Sequence, residues 1–468
     1  MINEKKEPYS NTMNTDKTEL FETMPVPKAV AKLAIPTILA SLVMVLYNIA
    51  DTFFVGELNS AVQSAGVTLI APVMLAFNAV TNLFGVGTSS KMSRAMGEKN
   101  YEAVRKSSVF GFYCALACSV LFSLLCTVLK EPLLGILGVD ASTHKAASDY
   151  MFWTVTCGAV PSIMQVILCY LIRAEGAALH ASIGTMSGCV LNIILDPVFI
   201  LPFGLNMGAA GAGLATFISN CFSTAYCLIY LYIKRGDTAV CLNPFEFSFR
   251  KSAAGEIFGV GIPASIQNLL NVLGSGILNN LTAAYDNAAV AAMGISHKTA
   301  MVPLYFSMGM AQGVMPLIGY NYASGNIKRM KSSISFTYKL GVSLIIMLSA
   351  LMFAFSGKIT EVFLDDPQVI AYGTRFLRGM SAGLTFLCID FMGVAVFQAC
   401  GMGKASLAFA LSRKLLLEIP ALYILNKLFP LYGMAWAQTY AEFILAAASI
   451  VVLVKMLRRC ENNAPERL

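Results

Sequence analysis

The chain has 468 residues, of which 57% are hydrophobic and only 13% are charged, and its formal net charge is +7. Soluble domains carry roughly 25% charged residues, so this composition leaves too little polar surface for a water-soluble globule. Apolar blocks of about 20 residues recur along the sequence, and each is long enough to cross a bilayer as a helix. The composition excludes a soluble protein and also a soluble body with a single membrane anchor.

The N-terminal segment, residues 1–28, is polar and lacks the apolar core and small-residue cleavage site of a signal peptide. We expect it to be a cytoplasmic tail. The twelve cysteines and three histidines are scattered, and the cysteines lie mostly inside apolar blocks with no CxxC pair. This placement is typical of buried free thiols, so the sequence predicts no disulfide framework, no metal centre and no cofactor.

Apolar blocks between charged or Gly/Pro breaks predict an all-α integral membrane protein with twelve transmembrane helices, six in each half. The first six predicted spans cover residues 29–53, 66–90, 108–129, 149–172, 182–203 and 208–233. The second six cover residues 256–283, 290–320, 333–356, 368–400, 407–428 and 432–457.

The distribution of Lys and Arg predicts the orientation, since these residues are enriched on the cytoplasmic side. With the N-terminus inside, cytoplasmic segments carry 26 of them and outer segments six, a count that places Arg413 and Lys414 in a cytoplasmic loop. Both termini are then cytoplasmic, and the positive net charge reflects topology, so nucleic-acid binding is not needed to explain it. We expect a lipid-embedded monomer in a bacterial inner membrane.

The two halves of the chain resemble each other. Six features recur in order at offsets between 223 and 228 residues: Ile35-Pro36 with Ile262-Pro263, Gly66 with Gly294, Gly97 with Gly325, Arg173–Gly176 with Gln398–Gly401, Leu195–Pro197 with Glu418–Pro420, and Gly208 with Gly433. Six spans per half make the halves parallel repeats, an arrangement that surrounds a substrate path in many transporters. The predicted organisation is a tail (1–28), a six-helix lobe (29–233), a cytoplasmic linker (234–252), a second six-helix lobe (253–457) and a tail (458–468). The polar linker is long enough to let the lobes move separately.

Several motifs together resemble a known family, the multidrug and toxic compound extrusion (MATE) transporters, over about residues 25–457. They are YNIADTFFVG from Tyr47, NLFGVG from Asn82, SRAMG from Ser93, LNIILDP from Leu191, GAAGAGLAT from Gly208 and QGVMPLIGYNY from Gln312. The resemblance implies twelve helices in two pseudo-symmetric lobes that face a central cavity. It also implies efflux of cationic or amphipathic small molecules in exchange for inward Na⁺ or H⁺.

Ionisable side chains inside the spans are candidates for function, because each costs on the order of 2.5–3.5 kcal/mol at a helix centre. Asp51 and Asp196 are such residues, and Asn192 lies four residues before Asp196 on the same helical face. Carboxylates and amide oxygens in a low-dielectric site attract Na⁺ or a proton. Family members with a cation site in the first lobe use positions that match Asp51, Asn192, Asp196 and Thr216. The alternatives are a solvated Asp51 at the membrane interface and a helix-packing role for Asp196.

Polar residues of the second half have less defined roles. Gln267, Asn268 and Asn271 form a stripe on span seven, where one branch of the family carries a glutamate that this sequence lacks. Asp390 in span ten and Glu418 in span eleven, the repeat partner of Asp196, are further candidates for the substrate cavity. Hydrogen bonding between helices is the alternative for the amides.

The leading interpretation is a cation-coupled multidrug exporter. The alternative is a lipid-linked precursor flippase from a related transporter superfamily, but a site for polyanionic headgroups would be lined by Arg and Lys, whereas the charges predicted inside the membrane are mostly acidic. An enzyme is not expected, since no HExxH, GxSxG or histidine cluster is present.

Overall fold

The computed structural model of the chain describes residues 15–58, 60–249 and 251–462, and within these residues the regular structure is entirely helical. The parts of the predicted tails at 1–14 and 463–468 lie outside the described residues. The helices up to residue 233 are α1 (Thr15–Glu22), α2 (Val26–Gly56), α3 (Ala61–Thr81), α4 (Gly87–Gly97), α5 (Tyr101–Val128), α6 (Lys130–Ile136), α7 (His144–Met151), α8 (Ala159–Ala174), α9 (Ala178–Ile200) and α10 (Ala209–Ile233). The remaining helices are α11 (Lys251–Ala283), α12 (Asn287–Ala323), α13 (Ile327–Ala354), α14 (Ser356–Phe363), α15 (Pro367–Ala399), α16 (Gly403–Leu411), α17 (Ile419–Leu428) and α18 (Gly433–Asn462).

Short segments of other helix types interrupt this order. Three π-helical segments lie at Asn82–Val86, Phe152–Thr156 and Ser412–Glu418, and one 3₁₀ turn lies at Pro244–Glu246. Each π-helical segment begins directly after an α-helix. Such segments are uncommon and occur frequently at functional sites.

The helical runs confirm the predicted twelve-helix membrane fold. Among the described residues, ten helices are long and apolar enough to span a membrane, and the run from His144 to Ala174, bent by 42°, gives an eleventh. The predicted span 407–428 corresponds to α16, the π-helical segment and α17, which together run from Gly403 to Leu428. Each of the twelve predicted spans overlaps one of these runs.

The placement of Arg413 and Lys414 corrects the sequence analysis. The charge count assigned both residues to a cytoplasmic loop, but the structure places them inside the run from Gly403 to Leu428 with exposed fractions of only 3% and 6%. The charge count was wrong because it treated both residues as part of a loop, although the predicted span 407–428 contains them. Both cations can be buried within this run because each lies against a buried carboxylate, described below.

The chain divides into two contact units. Unit 1 comprises Met1–Met24 and Leu42–Ser265, and unit 2 comprises Pro25–Ser41 and Ile266–Leu468. Helices α2 and α11 therefore each contribute to both units, whereas the predicted lobes assign each of these helices to one lobe. In unit 1, α8 packs against α5, α9 and α10. In unit 2, α15 is the most buried candidate span and packs against α12, α13 and α18.

The internal repeat is visible in the backbone of matched turns. Gly176 follows α8 with a φ of +88°, and Gly401 follows α15 with a φ of +77°. Each helix end also has the same long backbone hydrogen bond, from Ala177 N to Ile172 O at 3.2 Å and from Met402 N to Phe397 O at 2.7 Å. Glycine suits this position because it adopts the left-handed conformation without steric cost.

The linker after α10 is attached to unit 1 rather than loose. The buried carboxylate of Glu175 accepts hydrogen bonds from Thr238 Oγ1 at 2.7 Å and from Ala239 N at 3.1 Å, and it pairs with Lys17 of α1 at 2.9 Å. Ser108 Oγ accepts from Cys241 N at 3.0 Å. The polar composition of the linker predicted a flexible connection. Its hydrogen-bond partners Glu175 and Ser108 are distant in sequence, so the sequence alone did not indicate that the linker is held in place.

Candidate functional site

The candidate site of unit 1 is built on α9 and α10. Asn192 and Asp196 lie one turn apart on α9 with exposed fractions of 2% and 0%, and Thr216 lies on α10 with an exposed fraction of 8%. Helices α9 and α10 are packed neighbours, and small residues such as Gly188 permit close approach: a Cβ atom added there would lie only 3.1 Å from Ser219 O. The structure thus brings together three of the four residues predicted for the coupling site.

The side chain of Asn192 joins the other two residues. With its amide turned so that both groups are paired, Nδ2 donates to Asp196 Oδ2 at 2.9 Å and Oδ1 accepts from Thr216 N at 3.1 Å. The hydroxyl of Thr216 donates to Ala212 O at 3.0 Å, which leaves its oxygen lone pairs available to a further donor or cation. Asp196 Oδ1 is buried and has no hydrogen-bond partner.

The fourth predicted residue, Asp51, lies on α2 and is half-buried. Its charge interacts with that of Asp196, so the two carboxylates share one electrostatic environment. Tyr47, one turn before Asp51, and the buried Tyr150 of α7 also lie within electrostatic reach of both carboxylates. Sequence reasoning missed the two tyrosines as site residues. Tyr47 could have been found because it begins the YNIADTFFVG motif, whereas Tyr150 belongs to none of the motifs quoted above.

This arrangement suits one small positive charge. An orphaned buried carboxylate oxygen, a second carboxylate and neutral oxygens are ligands that a hard cation prefers, and an isolated buried carboxylate also favours a proton. Among the described residues, no group of three or more His, Cys, Asp or Glu side chains is placed to hold a metal ion. The carboxylate and neutral oxygens named above are donors that suit a monovalent cation or a proton.

The second-half candidates lie in unit 2 and are of two kinds. Gln267, Asn268 and Asn271 are half-buried on α11, and Asn268 Oδ1 has no hydrogen-bond partner. Asp390 on α15 is 1% exposed, and its Oδ1 atom also has no hydrogen-bond partner. Glu418 is already engaged, because Lys414 Nζ lies 2.6 Å from its Oε1 atom.

The comparison with family models decides the classification. The model of the MatE family matches residues 36–198 and again residues 263–424, two segments that start 227 residues apart. The chain belongs to the MatE family. The double match confirms both the resemblance seen in the motifs and the repeat of the two halves.

Two curated relatives match nearly the whole chain. The multidrug export protein MepA of Staphylococcus aureus is 31% identical over 455 residues, which cover 97% of this chain and 99% of that protein. MepA of Staphylococcus haemolyticus is 30% identical and covers 96% of this chain and 97% of its own length. This chain is thus a multi-pass membrane protein of the multidrug efflux transporter family.

Solved structures of transporters share the fold. A multidrug resistance MATE family transporter in an outward-facing conformation has a TM-score of 0.90 and 23% identity, with 96% of this chain and 100% of that chain covered. A transporter of the MOP superfamily from Pyrococcus furiosus gives a TM-score of 0.88 and 24% identity, with 96% of this chain and 99% of that chain covered. At these identities the likeness supports the fold alone.

Proposed function

We propose that this chain exports cationic or amphipathic small organic molecules across a bacterial cytoplasmic membrane in exchange for inward H⁺ or Na⁺. We propose further that both termini are cytoplasmic and that the chain acts as a monomer in contact with lipid. The coupling ion binds in unit 1 to Asp196, assisted by Asp51, Asn192 and Thr216. The observation that carries the coupling proposal is the fully buried Asp196 Oδ1 atom, which has no hydrogen-bond partner and whose carboxylate interacts electrostatically with that of Asp51.

The physical basis of exchange is the charge of this site. A buried carboxylate with one unsatisfied oxygen is costly, so uptake of a cation or proton stabilises the conformation in which the site is occupied. A ligand shifts a conformational equilibrium only by its differential affinity for the two states. Exchange follows when the ion and the organic cation favour opposite-facing states, and the reciprocity of linkage then couples the two fluxes.

The flippase alternative is not supported. The full-length relatives are multidrug export proteins. Arg413 and Lys414, the two buried cations of the run from Gly403 to Leu428, lie 2.7 and 2.6 Å from the carboxylates of Glu442 and Glu418. Their positive charge is therefore largely offset and does not create the free basic lining that a polyanionic headgroup requires.

The test is efflux of a fluorescent cationic dye from proteoliposomes under separately imposed Na⁺ and pH gradients. We expect one gradient to drive export by the wild type, and Asp51→Asn and Asp196→Asn to lower gradient-driven export by roughly tenfold or more. The matched control is Asp365→Asn, which makes the same change at an exposed carboxylate outside the spans. Dye export at the wild-type rate in both site variants would refute coupling through unit 1, and an absence of export under every gradient would refute the exporter itself.

A further inference from the structure

Unit 2 contains a buried cluster of five charged side chains that the coupling proposal does not use. We call it the unit 2 charge cluster: Asp390 on α15, Arg413, Lys414 and Glu418 on the π-helical segment, and Glu442 on α18. All five have exposed fractions below a tenth. The half-buried His297 of α12 interacts electrostatically with Lys414 and Glu418 from a further side.

Two ion pairs organise this cluster. Arg413 Nε lies 2.7 Å from Glu442 Oε1, and Lys414 Nζ lies 2.6 Å from Glu418 Oε1. The Arg413 guanidinium also lies over the ring of Phe391, with its carbon 4.9 Å from the ring centroid. Three carboxylates face only two bases, so acidic charge is in excess, and Asp390 is the acid that forms no ion pair among the described residues. Removal of one partner from such a pair leaves an uncompensated buried charge, which is strongly unfavourable.

The ammonium group of Lys414 lies in a space that the helix α11 leaves open. A Cβ atom added at Gly274 would lie 3.1 Å from Lys414 Nζ and 3.4 Å from Glu418 Oε1. A side chain at this position would therefore press on the ammonium group. Gly274 thus provides room for a compact monovalent positive charge beside Glu418, at the end of a flexible four-carbon stem.

The pair of Lys414 and Glu418 in unit 2 can be compared with the pair of Asn192 and Asp196 in unit 1. Asn192 and Asp196 are four residues apart directly before Pro197, while Lys414 and Glu418 are four residues apart shortly before Pro420. The two pairs lie on matched spans of the two repeats and differ by one residue in register, since Pro197 directly follows Asp196 whereas Ile419 separates Glu418 from Pro420. In unit 1 the partner is a neutral amide and the carboxylate keeps an orphaned oxygen, whereas in unit 2 the partner is itself a cation.

We propose that the ammonium of Lys414 is a resident counter-ion that fills a monovalent-cation position in unit 2. Unit 2 then takes up a free inorganic cation at Glu418 only when Lys414 is removed, and ion coupling is confined to unit 1. The second statement rests on the proposed coupling through Asp51 and Asp196, but the first does not. Loss of Lys414 leaves three carboxylates with one base, so a free cation is strongly attracted to the vacated position.

The test measures the thermal unfolding midpoint in detergent while Na⁺ replaces N-methyl-D-glucamine at constant ionic strength. Every variant carries Asp51→Asn and Asp196→Asn, which removes the unit 1 carboxylates, so failure of the proposed coupling does not affect the outcome. We expect no saturable effect of Na⁺ in this background, and a saturable rise of the midpoint when Lys414→Met is added. We expect that Glu418→Gln, added to Lys414→Met, abolishes the rise of the midpoint with Na⁺, and that Lys414→Arg in place of Lys414→Met does not produce this rise. The control is Lys404→Met at an exposed lysine of α16, which we expect to leave the response to Na⁺ as it is in the Asp51→Asn, Asp196→Asn protein.

Two results would overturn the proposal. One is a Glu418-dependent rise with Na⁺ while Lys414 is present, and the other is a folded Lys414→Met variant that does not respond to Na⁺. If Lys414→Met does not fold, Lys414→Ala is purified with n-propylammonium, which can occupy the space of the missing stem and charge. Recovery of the folded protein by this amine, and not by the bulkier tetramethylammonium, supports a cation position, whereas equal failure with both amines contradicts it.

Discussion

At the scale of single residues, Asp196 is held through one carboxylate oxygen while the other has no hydrogen-bond partner. Asn192 fixes the bound oxygen and also accepts from the backbone N–H of Thr216, so one amide ties α9 to α10. Such an arrangement orients a carboxylate without neutralising it. It leaves one strong acceptor for a proton or cation in a site that water does not reach, and this is the property on which the proposed exchange depends.

The role of Asn192 can be tested through stability. Asn192→Ala removes the hydrogen bond to the buried Asp196 Oδ2 atom and the contact with the Thr216 N–H, so we expect a loss of about 1–3 kcal/mol in the free energy of unfolding. The measurement is thermal or denaturant unfolding in detergent, beside Asn220→Ala as a matched control on α10. Asn220 donates to Ser162 Oγ at 2.7 Å and is half-buried, so its loss should cost about 0.5–1.5 kcal/mol. An equal or smaller cost at Asn192 would contradict the described network.

At the scale of elements, backbone proximity at glycines defines how the first part of α11 packs within unit 1. A Cβ atom added at Gly261 would lie 1.9 Å from Leu83 O, in the π-helical segment after α3. Ser265 Oγ donates to Ala79 O at 2.6 Å, and Glu256 pairs with Lys91 and Arg94 at 2.6 and 3.0 Å. These contacts explain why residues 251–265 belong to unit 1 although the sequence places them after the linker.

Glycine substitutions on α11 test this packing. Gly261→Ala must push two backbones apart, and we expect it to destabilise the protein by about 1–3 kcal/mol. Gly259→Ala is the matched control two residues away, where nothing lies within 4 Å of an added Cβ atom. The control should be neutral or up to about 1 kcal/mol more stable, since alanine favours the helix. Unfolding midpoints in detergent give the comparison, and similar effects at the two positions would contradict the contact.

Elements also show what the sequence could and could not predict. The twelve spans were predictable because apolar length alone decides whether a segment can cross a bilayer. The pair of Asn192 and Asp196 was predictable because helical spacing places i and i+4 on one face. The burial of Arg413 was not predictable, because its partner Glu442 lies on another helix and only the folded unit brings the two together. The approach of Tyr150 to the two aspartates likewise depends on tertiary packing.

At the scale of the whole molecule, the two repeats share the order of their helices but differ in the arrangement of their buried charged side chains. In the part of the chain that the structure describes, Asp196 of unit 1 has no basic partner, whereas Glu442 and Glu418 of unit 2 pair with Arg413 and Lys414. The matched turns at Gly176 and Gly401 show that the backbone plan is retained. The difference therefore lies in side-chain chemistry, and it is the basis of our proposal that ion exchange belongs to unit 1 and internal charge pairing to unit 2.

The most direct measurement of this account is ion counterflow driven by the organic substrate. Proteoliposomes receive a gradient of a cationic dye and no ion gradient, and Na⁺ and H⁺ movements are recorded with a tracer and an entrapped pH indicator. We predict that one of the two ions moves against the dye in the wild type, and that Asp196→Asn abolishes this movement while dye binding is retained. Counterflow that persists in Asp196→Asn, or dye transport by the wild type with no movement of either ion, would contradict coupling through Asp196.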